Sequence, residues 1–458
     1  MPRDPASFRD PAGHVHERHG KVYRTILPWG AARYRAVRES GFLDTATASG
    51  RLIEGREVDP AVLGDEEPDA VHVLEHPRLA FVSHPYEWSF SGLRAAALLT
   101  LDLHLEALSA GVTLSDASAY NVQFAGPRPV FIDYLSFIPY EPGQVWLGYR
   151  QFCEQFLNPL LLTAKAGVAF QAWYRGGPEG ISAADLSALL PLRARLDPRV
   201  ALHVLLRGRL ERRVTARDTA RARAVRLPRS ALVSNLRSMR GWIANLAPRT
   251  STTPWEAYER SAHYTPEEHA TKARFVGDAM AVARPGVVWD LGCNAGTYAE
   301  IALACGAGLV IGFEPDAGAV DAAFRRAAEK GLNFLPLAVD VTNPSPDLGW
   351  QQRERAGVAA RRNADAVLCL ALLHHLVLGR NLPLAQVIEW LVGLAPRGVL
   401  EFVPKQDPMA AQLIALKPGI GPEYTREAVG DLLAARARIE QTAVVTASGR
   451  TLLAWNRA

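Results

Sequence analysis

The sequence predicts an α/β protein. A doubly wound, mostly parallel sheet with a terminal antiparallel hairpin is expected over residues 252–458, after an α+β domain over 1–145 and a helical, arginine-rich stretch over 146–250. Three observations carry the C-terminal half. The apolar run Gly286-Val287-Val288-Trp289 ends in Asp290-Leu291-Gly292-Cys293-Asn294-Ala295-Gly296 and passes into a helical pattern at Thr297, which reads as strand, glycine turn, helix. Apolar runs ending in an acid recur at 309–316 and 334–341, with helical stretches between them. Two further runs flank a Ser448-Gly449-Arg450 turn near the end, the pattern of a hairpin.

Taken in order, the second run ends at Glu314, with Asp316 beside it, and the third at Asp340. A fourth, 365–372, empties into Leu373-His374-His375-Leu376, and a fifth, 398–403, contains Glu401 and precedes Pro404-Lys405. The hairpin, 439–445 with 451–455, is expected to leave one reversed strand at the sheet's edge. Helical periodicity covers 317–330 and 384–394. Strands alternating with helices need crossover connections, so the sheet is parallel, and its ligands belong at the carboxyl ends of its strands. The acids and histidines just named fall there.

The glycine turn narrows the ligand. Its spacing is D-x-G-x-x-x-G, not the G-x-G-x-x-G that holds a pyrophosphate on a helix N-terminus. S-adenosylmethionine (SAM) has no phosphate. Its sulfonium and amino group suit an acid such as Asp290, and Gly292 and Gly296 let backbone approach a nucleoside. This motif resembles the first motif of the Rossmann-like class I SAM-dependent methyltransferases. The resemblance implies SAM as cofactor, with Asp290, Gly292, Asn294 and Gly296 in the turn, Glu314 or Asp316 on the ribose, and Asp340 at the adenine. The lead-in, Trp255-Glu256-Ala257-Tyr258 and Tyr264-Thr265-Pro266, precedes a helix that in the family closes over the cofactor. Tyr264 and Lys272 are therefore binding candidates. Leu373-His374-His375-Leu376, Asn381-Leu382-Pro383-Leu384, Glu401 to Pro408, Pro422-Glu423-Tyr424-Thr425 and Arg450-Thr451-Leu452 together are similar to the bacterial nodulation-protein-like methyltransferases.

Composition agrees with a soluble cytoplasmic protein. No run approaches the ~20 apolar residues of a membrane span, and Met1-Pro2-Arg3-Asp4-Pro5 lacks the design of a signal peptide, so no membrane partner is expected. Cys153, Cys293, Cys305 and Cys369 form no C-x-x-C pair, so neither a disulfide framework nor a metal site is expected. The net charge of +4 does not by itself call for nucleic acid.

The first 145 residues mix strands, expected near 19–27, 70–75 and 79–83, with helices at 31–39 and 90–110. After the long helix come Asp116, Asn121 and, past a short hairpin, Asp133 at a strand end. That order is similar to the catalytic and metal loops of protein kinases and aminoglycoside phosphotransferases. It departs from them in lacking a His or Arg before Asp116 and a glycine-rich loop, with only Lys21 and Arg24 to offer as phosphate-binding cations. The plainer reading makes these residues turn caps. Helices are expected at 151–165 and 182–196. From Arg193 to Arg249 arginine is dense, including Arg207, Arg209, Arg212, Arg213, Arg217, Arg221, Arg223 and Arg226, without interleaved aromatics. A solvated helix face is favoured there over a nucleic-acid surface.

Methyl transfer is a displacement at an activated carbon, so an enzyme chiefly positions the reactants and removes a proton from the acceptor. His375 and His374, beyond the fourth strand, are the leading base candidates, ahead of Glu401. Amino-methylating nucleic-acid enzymes carry Asn or Asp before Pro-Pro and an aromatic at this point, where this chain has Ala371-Leu372-Leu373-His374. The expected function is SAM-dependent methylation of a small-molecule or carrier-bound acceptor. The alternatives are a phosphotransferase-like activity of Asp116, Asn121 and Asp133, or an RNA or protein methyltransferase whose N-terminal part is a recognition module.

Overall fold

Two compact units divide the chain: Met1–Ser251 with Pro346–Gly357, and Thr252–Ser345 with Val358–Ala458. The structure, a computed structural model, describes residues 3–208, 226–249, 264–415, 417 and 419–457. The arginines from Arg209 to Arg223 and the segment Trp255 to Tyr258 lie outside the described residues.

The second unit is built on strands β9 (Val287–Leu291), β10 (Leu309–Glu314), β11 (Phe334–Ala338), β12 (Ala366–Cys369), β13 (Arg397–Phe402), β14 (Arg438–Val444) and β15 (Thr451–Asn456). Their order is β11-β10-β9-β12-β13-β15-β14. The first five run parallel. β10 is buried along its whole length, as a strand covered on both faces must be. From β9 the chain proceeds outward to β10 and β11, then returns to the other side of β9 as β12. This reversal opens a crevice at the carboxyl ends of β9 and β12.

The reversed strand is not at the edge. β15 pairs antiparallel with both β13 and β14, and β14 takes the edge. The side chains decide this. Five of the six residues of β15 are buried, whereas β14 is exposed at five of its seven positions and half-buried at the other two, so the more apolar strand goes inside.

Helix α7 (Pro266–Ala283) is the first described helix of the second unit. Thr265 caps it: its Oγ1 accepts from Glu268 N (3.2 Å), and its own N donates to Glu268 Oε2 (2.8 Å), a reciprocal capping box with Pro266 at the first turn. Phe275, Val276 and Met280 of α7 share a core with Val288, Val310, Phe334, Leu368 and Val399 of the sheet.

In the first unit, β1 (Val15–Arg18), β2 (Lys21–Ile26), β3 (Arg56–Val58) and β4 (His72–Pro77) form an antiparallel sheet of order β1-β2-β4-β3. Helix α3 (Phe90–Ser109) follows, and then β5 (Val112–Leu114), β6 (Val122–Ala125), β7 (Arg128–Phe131) and β8 (Phe137–Pro139). β6 and β7 form a hairpin, and β5 pairs antiparallel with β8. The strand expected at 79–83 is absent. The Gln123 side chain takes its backbone bonds instead, accepting from Ser83 N (2.9 Å) and donating to Ser83 O (3.0 Å). The helix expected over 182–196 is broken into Ala183–Leu189 and Leu192–Arg195, because Pro191 forces Leu190 into an extended conformation.

Pro346–Gly357 leaves the second unit after the loop that follows β11 and is built into the first. Glu354 pairs with Arg9 (2.6 Å), Ala356 O meets His84 Nε2 at 3.0 Å, and the Arg355 guanidinium lies 4.0 Å from the Tyr120 ring centroid. Val358 N donates to Ser345 O (3.0 Å), so the excursion closes on itself at its base.

Candidate active site

A cleft of about 490 Å³ opens at the carboxyl ends of β9, β10 and β12, entirely within the second unit. Its floor is the glycine turn. Gly292 (φ +73°) and Gly296 (φ +83°) hold left-handed conformations that side chains resist, and a Cβ on Gly296 would sit 2.4 Å from Phe334 Cε1. Asn294 also has positive φ, 46°, a conformation Asn tolerates better than most residues. Cys293 is buried against Gly312, where a Cβ would meet its sulfur at 2.6 Å. Burial pushes its thiol well above the ordinary range, so it packs rather than reacts.

Asp290 lines the cleft and is buried, and its Oδ2 has no hydrogen-bond partner among the described residues. Burial pushes its pKa up to about 7; Lys272 opposes this and Glu314 adds to it. Glu314, at the tip of β10, accepts from Asn294 N (3.2 Å) and Asp316 N (3.0 Å). Burial raises it to about 7 as well, against those two backbone bonds. Asp340 shapes its own turn, accepting from Thr342 N (2.8 Å) and Oγ1 (2.7 Å), and pairs with Arg380 (3.3 Å) at the rim. Asp316 departs from expectation. It is not among the residues lining the cleft, and it caps α9 (Ala317–Lys330) by accepting from Ala319 N at 2.8 Å, the ordinary work of an Asp before a helix.

One wall is a buried charge network. Lys272 Nζ donates to Glu401 Oε2 (2.6 Å) and to Tyr264 OH (3.3 Å). The Tyr264 hydroxyl donates to Glu401 Oε1 and accepts from Arg450 Nη1 (2.7 Å). Ala371 N donates to Glu401 Oε2 (2.9 Å), and Arg450 grips Asp407 with two bonds of 2.7 and 2.9 Å. Tyr264 and Lys272 line the cleft; Glu401 does not. Burial alone would raise the Glu401 carboxyl, but Lys272, Tyr264 and Arg450 hold it below its usual range. With both oxygens engaged, Glu401 stands as an anchoring carboxylate, which departs from its expectation as a base.

The histidines diverge. His375 lines the cleft, while His374 is wholly buried behind it with neither ring nitrogen bonded among the described residues. Their rings lie 4.2 Å apart. Burial, reinforced by Arg450, lowers His375 below 6.5, and burial lowers His374 much further. Both rings are therefore neutral at pH 7. The strained residue of this loop is Ala371 (φ 49°), fixed by the Glu401 bond to its N.

His269, Thr297, Tyr298, Leu372, Arg380 and Leu413 also line the cleft, and the sequence reading did not single them out as site residues. Thr297 had a signal, standing first in a helix after the glycine turn. The others depend on side-chain packing.

In the first unit, Asn121 and Asp133 meet through Ser136, and Asp116 lies beside them. Asn121 Nδ2 donates to Ser136 Oγ (2.9 Å), which donates to Asp133 Oδ2 (2.6 Å). Burial, then the Asp133 charge, raises the Asp116 carboxyl. Arg24 bonds Asp10 and reaches Asp133 Oδ1 at 3.4 Å, whereas Lys21 pairs with Glu75 at 2.9 Å. Among the described residues no group of three or more His, Cys, Asp or Glu is arranged to hold a metal ion.

No protein-family model matches the chain. It is 40% identical, over 455 residues spanning 98% of its length and 95% of the relative's, to the nodulation protein NoeA of Rhizobium meliloti strain 1021. Among solved structures, magnesium protoporphyrin IX methyltransferase of Synechocystis PCC 6803 with bound SAM overlaps 42% of this chain and 80% of its own, at 21% identity and a TM-score of 0.31. The N-methyltransferase NodS of Bradyrhizobium japonicum WM9 overlaps 45% of this chain and 99% of its own, at 13% identity and a TM-score of 0.30.

Proposed function

The chain belongs to the family of the nodulation protein NoeA, and from its cleft we propose that it is a SAM-dependent methyltransferase acting on a small-molecule or carrier-bound acceptor. The observation that carries this reading is the unpartnered Asp290 Oδ2 beside a glycine turn that only backbone fills. A buried carboxylate lacking a donor fits a cationic ligand, and the turn fits a nucleoside without phosphates. Asp290 would hold the amino group, the Gly292–Gly296 backbone the nucleoside, Glu314 the ribose hydroxyls, and Asp340 with Thr342 the adenine side. When bound, SAM supplies a methyl group on a sulfonium, whose leaving group is a neutral thioether.

The chain's own work is orientation and one proton. His375, neutral at pH 7, accepts the proton of the acceptor's O–H or N–H as that atom bonds the methyl carbon. Leu372 and Leu376 beside it exclude water. Titration calorimetry on the full chain tests the cofactor: micromolar-range SAM binding that Asp290→Ala weakens at least tenfold supports the reading. No heat from a folded protein overturns it.

A second reading concerns the first unit. The long helix, the β5–β8 pairing and the Asp116, Asn121 and Asp133 order support a kinase-like ancestry. Arg24 reaches Asp133 where a metal-binding carboxylate would need to be free, so efficient phosphotransfer is not expected. Magnesium-dependent ATP turnover that disappears in Asp133→Ala would overturn this.

A further inference from the structure

The turn that carries His375 is closed by its own bonds and hinged at one residue. His375 N (2.9 Å) and Leu376 N (3.2 Å) both donate to Leu372 O, and Arg380 N donates to His375 O (2.9 Å). Leu373 and Leu376 are buried. Leu372 leans over the glycine turn, where a Cβ on Gly292 would lie 3.5 Å from its Cδ1. Between this turn and β12, which ends at Cys369, stands Ala371 with φ 49°. Alanine resists that left-handed conformation, which glycine would take freely. A residue kept there needs something outside the turn to hold it.

The holder comes from the neighbouring strand. Glu401 of β13 accepts from Ala371 N at 2.9 Å through Oε2, and the same oxygen accepts from Lys272 Nζ at 2.6 Å. Lys272 is enclosed in turn, its Nζ 4.9 Å from the ring centroid of Tyr264 and 4.6 Å from that of Tyr298. One oxygen therefore joins the charged wall of the cleft to the hinge of the histidine turn. We infer that Glu401 is a positioning residue: with Lys272 as its counter-ion, it holds Ala371 left-handed and so sets where His375 stands in the cleft. Glu401 itself does not line the cleft, whereas Ala371 and His375 do, so it acts on the reaction through Ala371. The inference rests on the reading of His375 as the base.

Diethyl pyrocarbonate modification of the full chain, mapped to His375 by peptide mass spectrometry, reports the ring's placement without acceptor or cofactor. Lys272→Met with Glu401→Met replaces the ion pair by two apolar residues and leaves neither charge buried alone. Ala371 N then loses its acceptor. The rate at His375 should rise by about fivefold or more, the population shift that the strain of a left-handed alanine supports. Ala371→Gly added to that pair should return the rate to within about twofold of wild type, because glycine needs no holder. Lys272→Gln with Glu401→Gln keeps an oxygen for Ala371 N, and its rate should also stay within about twofold. Circular dichroism and melting identify the folded variants. An unchanged rate in the folded methionine pair, or an equal rise with and without Ala371→Gly, overturns the inference. So does a rise of about fivefold in the folded glutamine pair, which decides the matter if the methionine pair does not fold. Failure of the wild type to bind SAM would instead overturn the methyltransferase reading and leave the rates at His375 as they are.

Discussion

Asp290 shows what single residues in this cleft trade. Its pKa of about 7 lies far above the ~3.9 of an unfolded Asp. Between those values the native state binds more protons than the unfolded state, so this group's stabilising contribution is full below about pH 4 and is lost as pH rises through 7. Asp290→Asn should therefore flatten the pH dependence of ligand-free stability over that window and raise the melting temperature at pH 8. The same substitution should weaken SAM binding by about 1–3 kcal/mol. A cationic ligand favours the ionised carboxylate, so wild-type affinity should rise from pH 6 to pH 8, with heats that depend on the buffer's ionisation enthalpy. A pH-independent affinity would refute the role. For His375, lowered below 6.5 by burial and Arg450, the base form persists into mild acid. The acid limb of turnover should fall below pH 6.5, and His375→Ala should reduce turnover roughly a hundredfold with SAM affinity little changed. Near-normal turnover of that variant would make the residue structural. Glu401 makes the opposite case. Glu401→Gln leaves Lys272 with a buried, uncompensated charge, and urea denaturation should show a loss of about 3–5 kcal/mol. Adding Lys272→Met should recover part of that loss, which a catalytic carboxylate would not predict.

At the scale of elements, the turn from β9 into the next helix, Thr297–Ala304, is the feature most exposed to a single change. Gly296→Ala meets both a left-handed backbone and the ring of Phe334. It should cost more than about 1–2 kcal/mol, the penalty of the backbone alone, in chemical denaturation. Fully retained stability would mean the turn has another conformation. This element was legible beforehand because glycine spacing is a local property. The hairpin was legible as a hairpin but not in its placement. The residues of β15, Thr451-Leu452-Leu453-Ala454-Trp455, are more apolar than those of the largely exposed β14, and that difference, weighed for burial, points to the interior position actually taken. The missing strand at 79–83 had no such cue, since Gln123 supplies its bonds from 40 residues away.

For the whole molecule, the chain's path is the unexpected part. A segment between the third and fourth strands of one unit is built into the other. The 3.0 Å bond from Val358 N to Ser345 O means that joining 345 to 358 removes the excursion without opening the sheet. Deleting 346–357 should lower the melting transition of the first unit, which loses the partners of Arg9, His84 and Tyr120. It should leave intact the transition that SAM raises, as read by calorimetry with and without ligand. Loss of SAM binding in a folded deletion variant would show that the segment serves the cleft as well.

The sequence by itself determined what depends on neighbours along the chain: the alternation of strands and helices, the glycine turn, the acids Asp290, Glu314 and Asp340 at strand ends, and the helix starts at Thr265 and Ala317. These follow from periodicity, from caps and from backbone strain, all fixed within a few residues. Tertiary structure decided which of the listed groups face the cleft and what state they hold. His375 and His374 are adjacent in sequence, yet one lines the cleft and the other is sealed behind it. Asp316, two residues from Glu314, caps a helix and is not among the residues lining the cleft. Glu401 is held as an anion by Lys272, Tyr264 and Arg450, and Asp407 fixes Arg450 from 43 residues away. The burial and charge pairing that set these groups come from segments far apart in the chain, and no local pattern encodes them.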